Sequence, residues 1–212
     1  MTDFIPLFPL KLIVYPGELL NLHIFEPRYK QLIRECDENG ISFGISAVLE
    51  DSVMEIGTEM ELLEITKQYE TGEMDIKTKG IGLFKIKNFH ELVKNKLYSG
   101  ADIHRLKLET EGDPKINVDI VDSLEQLFEL LKIEKNSDLD PEKLMSYDIA
   151  HQLGFSLDQE YEFLKIFSEI DRQKYVLAHL KKTIPILTDM EKLKAKSRMN
   201  GHFKKVIPPD VK

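Results

Sequence analysis

Cysteine is almost missing from this chain. Cys36 is the single example in 212 residues, so a disulfide framework and a cysteine-based zinc site are both excluded. The scarcity fits a reducing cytoplasm. No run approaches the ~18 consecutive apolar residues of a membrane-spanning helix. The N-terminus has no basic stretch leading into an apolar one, so no signal peptide is expected. A basic surplus is missing too: the formal net charge is −8, which weighs against a general nucleic-acid binder. The sequence contains no Gly-Lys dipeptide, hence no Walker A phosphate loop, and no G-x-G-x-x-G. The histidines are His23, His90, His104, His151, His179 and His202. None lies four residues from another and no H-E-x-x-H occurs, so the local spacing of a zinc site is absent. No nucleophile elbow, catalytic residue, cofactor or metal is expected.

What remains is an ordinary globular composition. Hydrophobic residues make up 42% and charged residues 31%, enough apolar material for one large domain or two small ones. The densest local signal is residues 15–29. Tyr15-Pro16-Gly17 reads as a tight turn, because Pro16 presets φ and Gly17 tolerates the positive φ of a type II turn. Leu20, Leu22 and Ile24 then alternate with Asn21, His23 and Phe25, the period of a strand. Pro27 suits the first turn of a helix, where its missing N–H costs nothing.

The first half continues in strands. Residues 4–14 are apolar but broken by Pro6 and Pro9, which predicts an edge strand or a short bent pair. Residues 27–36 predict an amphipathic helix with Tyr29, Leu32, Ile33 and Cys36 on its apolar face; Cys36 is thus expected to be buried. Residues 41–49 alternate as a half-buried strand. In 58–69 the apolar phase slips between Leu62 and Leu63, the mark of a bulge. Thr71-Gly72 predicts a hairpin turn. Gly80 and Gly82, inside a strand from Met74 to Phe89, predict a bend or close backbone approach. A last strand is expected over 97–108. Several strands, a bulge and one short helix predict a strongly curved sheet or partly closed barrel.

After Gly112 the pattern becomes helical. Asp113-Pro114 is a cap followed by a starter, with a stripe through Ile120, Leu124, Leu127 and Leu131. Asp140-Pro141 repeats that start signal, and Gly154 is a stop. Ser156 and Gln159 form a capping box for a third helix. Asp171 is expected to cap a long fourth helix, kinked at Pro185. The predicted organisation is a β domain over 1–110, a helical bundle over 111–200 and a flexible tail over 201–212.

Several phrases are familiar as a set. Phe8-Pro9-Leu10, Tyr15-Pro16-Gly17-Glu18, Leu22-His23-Ile24-Phe25-Glu26-Pro27-Arg28-Tyr29 and Phe43-Gly44-Ile45 resemble the N-terminal substrate-binding domain of Lon proteases, and Thr71 to Ile76 is similar to that family's later hairpin. The end, Ile184-Pro185-Ile186-Leu187 and Asn200 to Lys204, resembles stand-alone bacterial members. The resemblance implies an α+β protein: a PUA-like pseudo-barrel with one short helix, then a helical bundle with a long final helix. It also implies a polypeptide-binding role toward unfolded or exposed segments, with a separate protease as a further partner. The chain ends before an ATPase or protease module could begin, so a non-enzyme is expected.

Candidate positions for a peptide-binding surface are Pro16, Glu18, His23, Glu26 and Arg28. For Glu26 and Arg28 a competing explanation is local, since an acid is favoured at a helix start whatever its function. The acidic run Glu50 to Asp75 is explained by a solvated surface, and the basic run Lys192 to Lys205 by the favourable placing of cations near a helix C-terminus. The alternative function is RNA binding through the PUA-like barrel and the basic C-terminal helix, against which the negative net charge counts.

Overall fold

A computed structural model describes residues 3–133 and 139–202. The basic run beyond His202, and the tail expected from there to 212, lie outside the described residues. The fold is mixed α+β. Six strands come first: β1 (Asp3–Leu10), β2 (Leu19–Ile24), β3 (Phe43–Leu49), β4 (Ser52–Gln68), β5 (Met74–His90) and β6 (Ser99–Leu106), with helix α1 (Pro27–Asn39) between β2 and β3. Helices α2 (Pro114–Leu131), α3 (Leu157–Leu164) and α4 (Glu169–His202) follow, with a 3-10 segment at Ser146–Gln152.

The strands run β2-β5-β4-β3-β1-β6, and β6 pairs again with β5. This second pairing closes β5-β4-β3-β1-β6 into a ring. The closure needs a long β5: its first half pairs with β2 and its second half with β6. Bends come from register shifts, including one between Leu62 and Glu64, at the phase slip seen in the sequence.

β1 is not the edge strand that its prolines predict. It pairs with β6 on one side and β3 on the other. The β6 ladder covers Asp3 to Leu7 and the β3 ladder covers Leu7 to Leu10, so the two overlap only at Leu7. Pro6 and Pro9 therefore each sit where one side of the strand is free, and neither breaks a ladder. β3 also departs from expectation, because both its faces are covered. Gly44 and Ser46 are buried with Phe43, Ile45 and Ala47, and a Cβ on Gly44 would come within 2.7 Å of Leu7 and Phe84.

The main β core joins Phe8, Tyr29, Leu32, Ile33, Phe43 and Met60. All four predicted α1 residues, Tyr29, Leu32, Ile33 and Cys36, are buried. Phe8 stacks on Tyr29 with ring centroids 3.7 Å apart. Burial pushes the Cys36 thiol up to about 12, so it stays protonated and behaves as a small apolar group.

The chain divides into two compact units that do not follow chain order: Met1–Gly112 with Met145–Arg172, and Asp113–Leu144 with the residues from Gln173 onward. In the first, Tyr147 and Phe163 pack on Tyr15, with ring centroids 5.0 and 5.9 Å away. In the second, Asp113 accepts from Lys115 N at 2.9 Å as the α2 cap. Gln173 reaches Asn117 Oδ1 at 2.8 Å, and Ile120, Leu124, Val176 and Leu180 are buried.

Two helix starts differ from prediction. Asp140-Pro141 yields only a turn. Asn117 Nδ2 takes the carbonyls of Pro141 and Leu144, both at 2.9 Å, which a helix would need for itself. α4 begins at Glu169, so Asp171 lies in its first turn rather than capping it. The α3 capping box is present, with Ser156 and Gln159 bonded reciprocally. No described helix is long and apolar enough to cross a membrane.

Candidate functional site

The five nominated residues lie before β2 (Pro16, Glu18), near its end (His23) and after it (Glu26, Arg28). Pro16 is in the turn before the strand, where Gly17 has φ +92°. Gly17 N donates to Gly80 O at 2.8 Å, and Gly80 N to Glu18 O at 2.9 Å, tying the turn to β5. The Glu18 carboxylate accepts from Tyr15 N at 2.9 Å and from His151 Nε2 at 3.2 Å. His151 Nδ1 donates to Glu160 at 2.7 Å. Glu18, then Glu160, raise the His151 imidazolium to about 9 against the opposing effect of burial. This cluster fastens a turn to the helical segment.

His23 is the last residue but one of β2, on its exposed face. Its Nδ1 donates to Asp75 at 2.6 Å, and this bond is the main cause holding the Asp75 carboxyl below its ordinary value. Glu26 and Arg28 meet at the start of α1, with Arg28 Nη2 2.7 Å from Glu26. Glu26 makes no side-chain cap to the helix, so its partner is Arg28. β2 has 6 residues and spans roughly 20 Å, so the Pro16–Glu18 end is not brought together with Glu26 and Arg28.

A surface the sequence reading missed lies beside α1. A cleft of about 860 Å³ is lined by Pro27, Lys30, Gln31, Arg34, Leu92 and Leu97, among others. A smaller one of about 270 Å³ is lined by Pro9, Arg28, Phe89 and Leu97. Leu97 lines both, so the two adjoin beside the start of α1 and together make up the groove. Its leucines are wet: Leu92 is 68% and Leu97 58% exposed. Exposed side chains of this size grouped in a concavity mark a binding surface more often than scattered ones do.

The wall carrying them is fixed. The β5–β6 loop bonds to itself through Val93 N to Tyr98 O at 3.1 Å, and Leu97 N donates to Gln31 Oε1 at 2.9 Å. Glu35 accepts from Lys96 at 2.7 Å, Tyr98 OH at 2.5 Å and Gln31 at 3.0 Å. Burial works to raise the Glu35 carboxyl, but these bonds together hold it below its usual value. Burial, then the bond to Glu35, push the Tyr98 phenol up.

A G-x-S-x-G pattern does occur in the sequence, although it makes no nucleophile elbow. Gly40-Ile41-Ser42-Phe43-Gly44 spells G-x-S-x-G. Its context is wrong: it leads from a helix into a strand, whereas an elbow turns from strand to helix. Ser42 Oγ donates to Glu59 at 2.5 Å, a carboxylate that Arg105 already grips at 2.7 and 2.9 Å. No group of three or more metal-ligating side chains is placed to hold an ion among the described residues.

With this geometry in hand, comparison with protein families finds the substrate-binding domain of ATP-dependent protease La (LON), matched over residues 5–182. The chain belongs to this LON substrate-binding domain family. Two solved structures share the fold. A Lon N-terminal domain protein from Xanthomonas campestris superposes with a TM-score of 0.65 at 22% identity, covering 83% of this chain and 98% of its own. The N-terminal domain of Mycobacterium avium complex Lon protease gives 0.59 at 15% identity, covering 84% and 98%. No curated protein matches.

In this LON-family chain, the groove was legible only in part. Pro27 and Arg28 were singled out for the helix start, and they line it. Leu92 lies in a stretch, 90–96, without periodicity, and Leu97 falls at the start of the strand expected over 97–108, whereas β6 begins only at Ser99. Their signal was two leucines in a loop rich in lysine and asparagine, a place where nothing in the local pattern calls for large apolar side chains.

Proposed function

We propose that this chain is a non-catalytic polypeptide-binding module, an adaptor or chaperone-like factor of cytoplasmic protein quality control. It takes unfolded or exposed segments on the groove beside α1 and presents them to a separate protease. The observation that carries this reading is the pair of wet leucines on a rigid wall, in a family whose matched domain is the substrate-binding one. Extended segments supply the apolar side chains that such a concavity lacks. Of the nominated residues, Arg28 lines the groove and Glu26 pairs with it. Pro16 and Glu18 set the turn, and His23 stacks on the exposed Phe25, with ring centroids 6.2 Å apart.

The test is fluorescence anisotropy with labelled, chemically unfolded casein, alongside assays of ATP hydrolysis and casein cleavage. Binding with neither activity is expected, and binding should weaken when Leu92 and Leu97 are both changed to serine. Cleavage, or no binding, overturns the reading. Capture from a lysate in which all bound material disappears on nuclease treatment turns it toward RNA binding.

A further inference from the structure

Resting on the polypeptide-binding reading, we propose that the groove selects segments combining large apolar side chains with carboxylates. The apolar half of the argument is Leu92 and Leu97. The charge half is Lys30 and Arg34, which lie one turn apart on the groove side of α1, on the same stripe as Pro27 and Gln31. Lys30 Nζ donates to the carbonyl of Thr71 at 3.2 Å. The Arg34 guanidinium rests against the same hairpin turn, where a Cβ on Gly72 would come within 3.3 Å of its Nη2. A neutral carbonyl orients a cation without cancelling its charge. Among the described residues neither Lys30 nor Arg34 has a carboxylate partner.

Two of the nearby charges are already paired. Glu35 is engaged by Lys96, and Arg28 by Glu26. Glu38 is the one lining acid without such a partner among the described residues, one turn beyond Arg34. Among the charged residues lining the larger cleft, Lys30, Arg34 and Lys96 outnumber Glu35 and Glu38 by one, in a chain whose formal net charge is −8. Arginine presents a fork suited to a carboxylate. A bound segment with acid beside its leucines would gain charge-assisted hydrogen bonds, whereas a lysine-bearing segment would meet repulsion.

The experiment uses the full chain and fluorescein-labelled short peptides: one of leucine, serine and glutamate, its lysine-for-glutamate counterpart, and its serine-for-leucine counterpart. At low salt the leucine–glutamate peptide is expected to bind about tenfold more tightly than the leucine–lysine one, the difference between a few exposed attractive charge pairs and as many repulsive ones. Added salt should shrink that difference. Arg34→Glu should reverse the order of the two peptides. Arg34 is exposed, so circular dichroism should show the variant folded as before. Equal binding of the glutamate and lysine peptides would overturn the charge selection while leaving polypeptide binding intact. Equal binding of the serine-for-leucine peptide would overturn the apolar half. Failure of every peptide to bind would overturn the functional reading itself.

Discussion

Glu169 and Arg172 show how differently a residue pair can behave from what its spacing suggests. In the sequence they are an i,i+3 acid–base pair, the usual look of a solvated helix face. In the structure both side chains are 1% exposed and 2.7 Å apart. Glu169 accepts from Ser146 N and Ser146 Oγ, both at 2.8 Å. Arg172 donates to the carbonyls of Ile166 and Glu109 at 2.7 and 3.3 Å, and its guanidinium lies 4.3 Å from the Tyr147 ring centre. Removing either partner strands a buried charge. Arg172→Met is expected to cost about 3–5 kcal/mol in urea unfolding. A loss below about 1 kcal/mol would show the pair to be no stronger than a surface one. A second residue-scale prediction concerns His151. Its folded pKa, about 9, stands above the unfolded value of 6.5. Its contribution to stability is therefore complete below about pH 6.5 and lost as pH rises through about 9. Thermal melts should fall across that window, and His151→Gln should flatten the fall. An unchanged slope in the variant would assign the loss to other groups.

At the scale of elements, the sequence was most legible where local chemistry decides. Tyr29, Leu32, Ile33 and Cys36 marked the buried face of α1, Asp113-Pro114 the start of α2, and Ser156 with Gln159 the cap of α3. It was least legible where a distant group overrides the local signal. Asp140-Pro141 loses its helix because Asn117, far off in sequence, takes the carbonyls. The prolines of β1 misled because a strand can be central overall and still be paired on one side at each proline. Glycines mark the same boundary. Gly80 and Gly82 look alike in sequence, yet a Cβ on Gly80 would lie 2.5 Å from the Tyr15 carbonyl, while one on Gly82 meets nothing within 4 Å. Gly80→Ala is thus expected to destabilise by about 1–3 kcal/mol, the usual cost of forcing a backbone shift, and Gly82→Ala to be near neutral. Equal effects in chemical denaturation would show that the β1–β2 turn yields freely.

For the whole molecule, the decisive fact is that the first compact unit is discontinuous. A reader of the sequence sees strands up to residue 108 and helices afterward, and a cut near 110 looks natural. The structure gives Tyr15 no exposure, and its cover comes partly from Tyr147, His151 and Phe163. Tyr161 OH, from the same returning segment, accepts from Ile56 N at 3.2 Å. A fragment of residues 1–112 would keep every strand and still expose that aromatic patch. It would also leave Glu18 without His151 and the Ile56 amide without its acceptor. An aromatic side chain of this size buries about 150–250 Å², so uncovering Tyr15 forfeits several kcal/mol at about 25 cal/mol per Å², a large share of a typical domain's stability. The 1–112 fragment is therefore expected to aggregate or to melt without cooperativity. A fragment that rejoins 145–172 to it through a flexible linker should regain a single sharp transition. Cooperative melting of 1–112 at the temperature of the full chain would show that the ring of strands is self-sufficient and that the returning segment only rests on it.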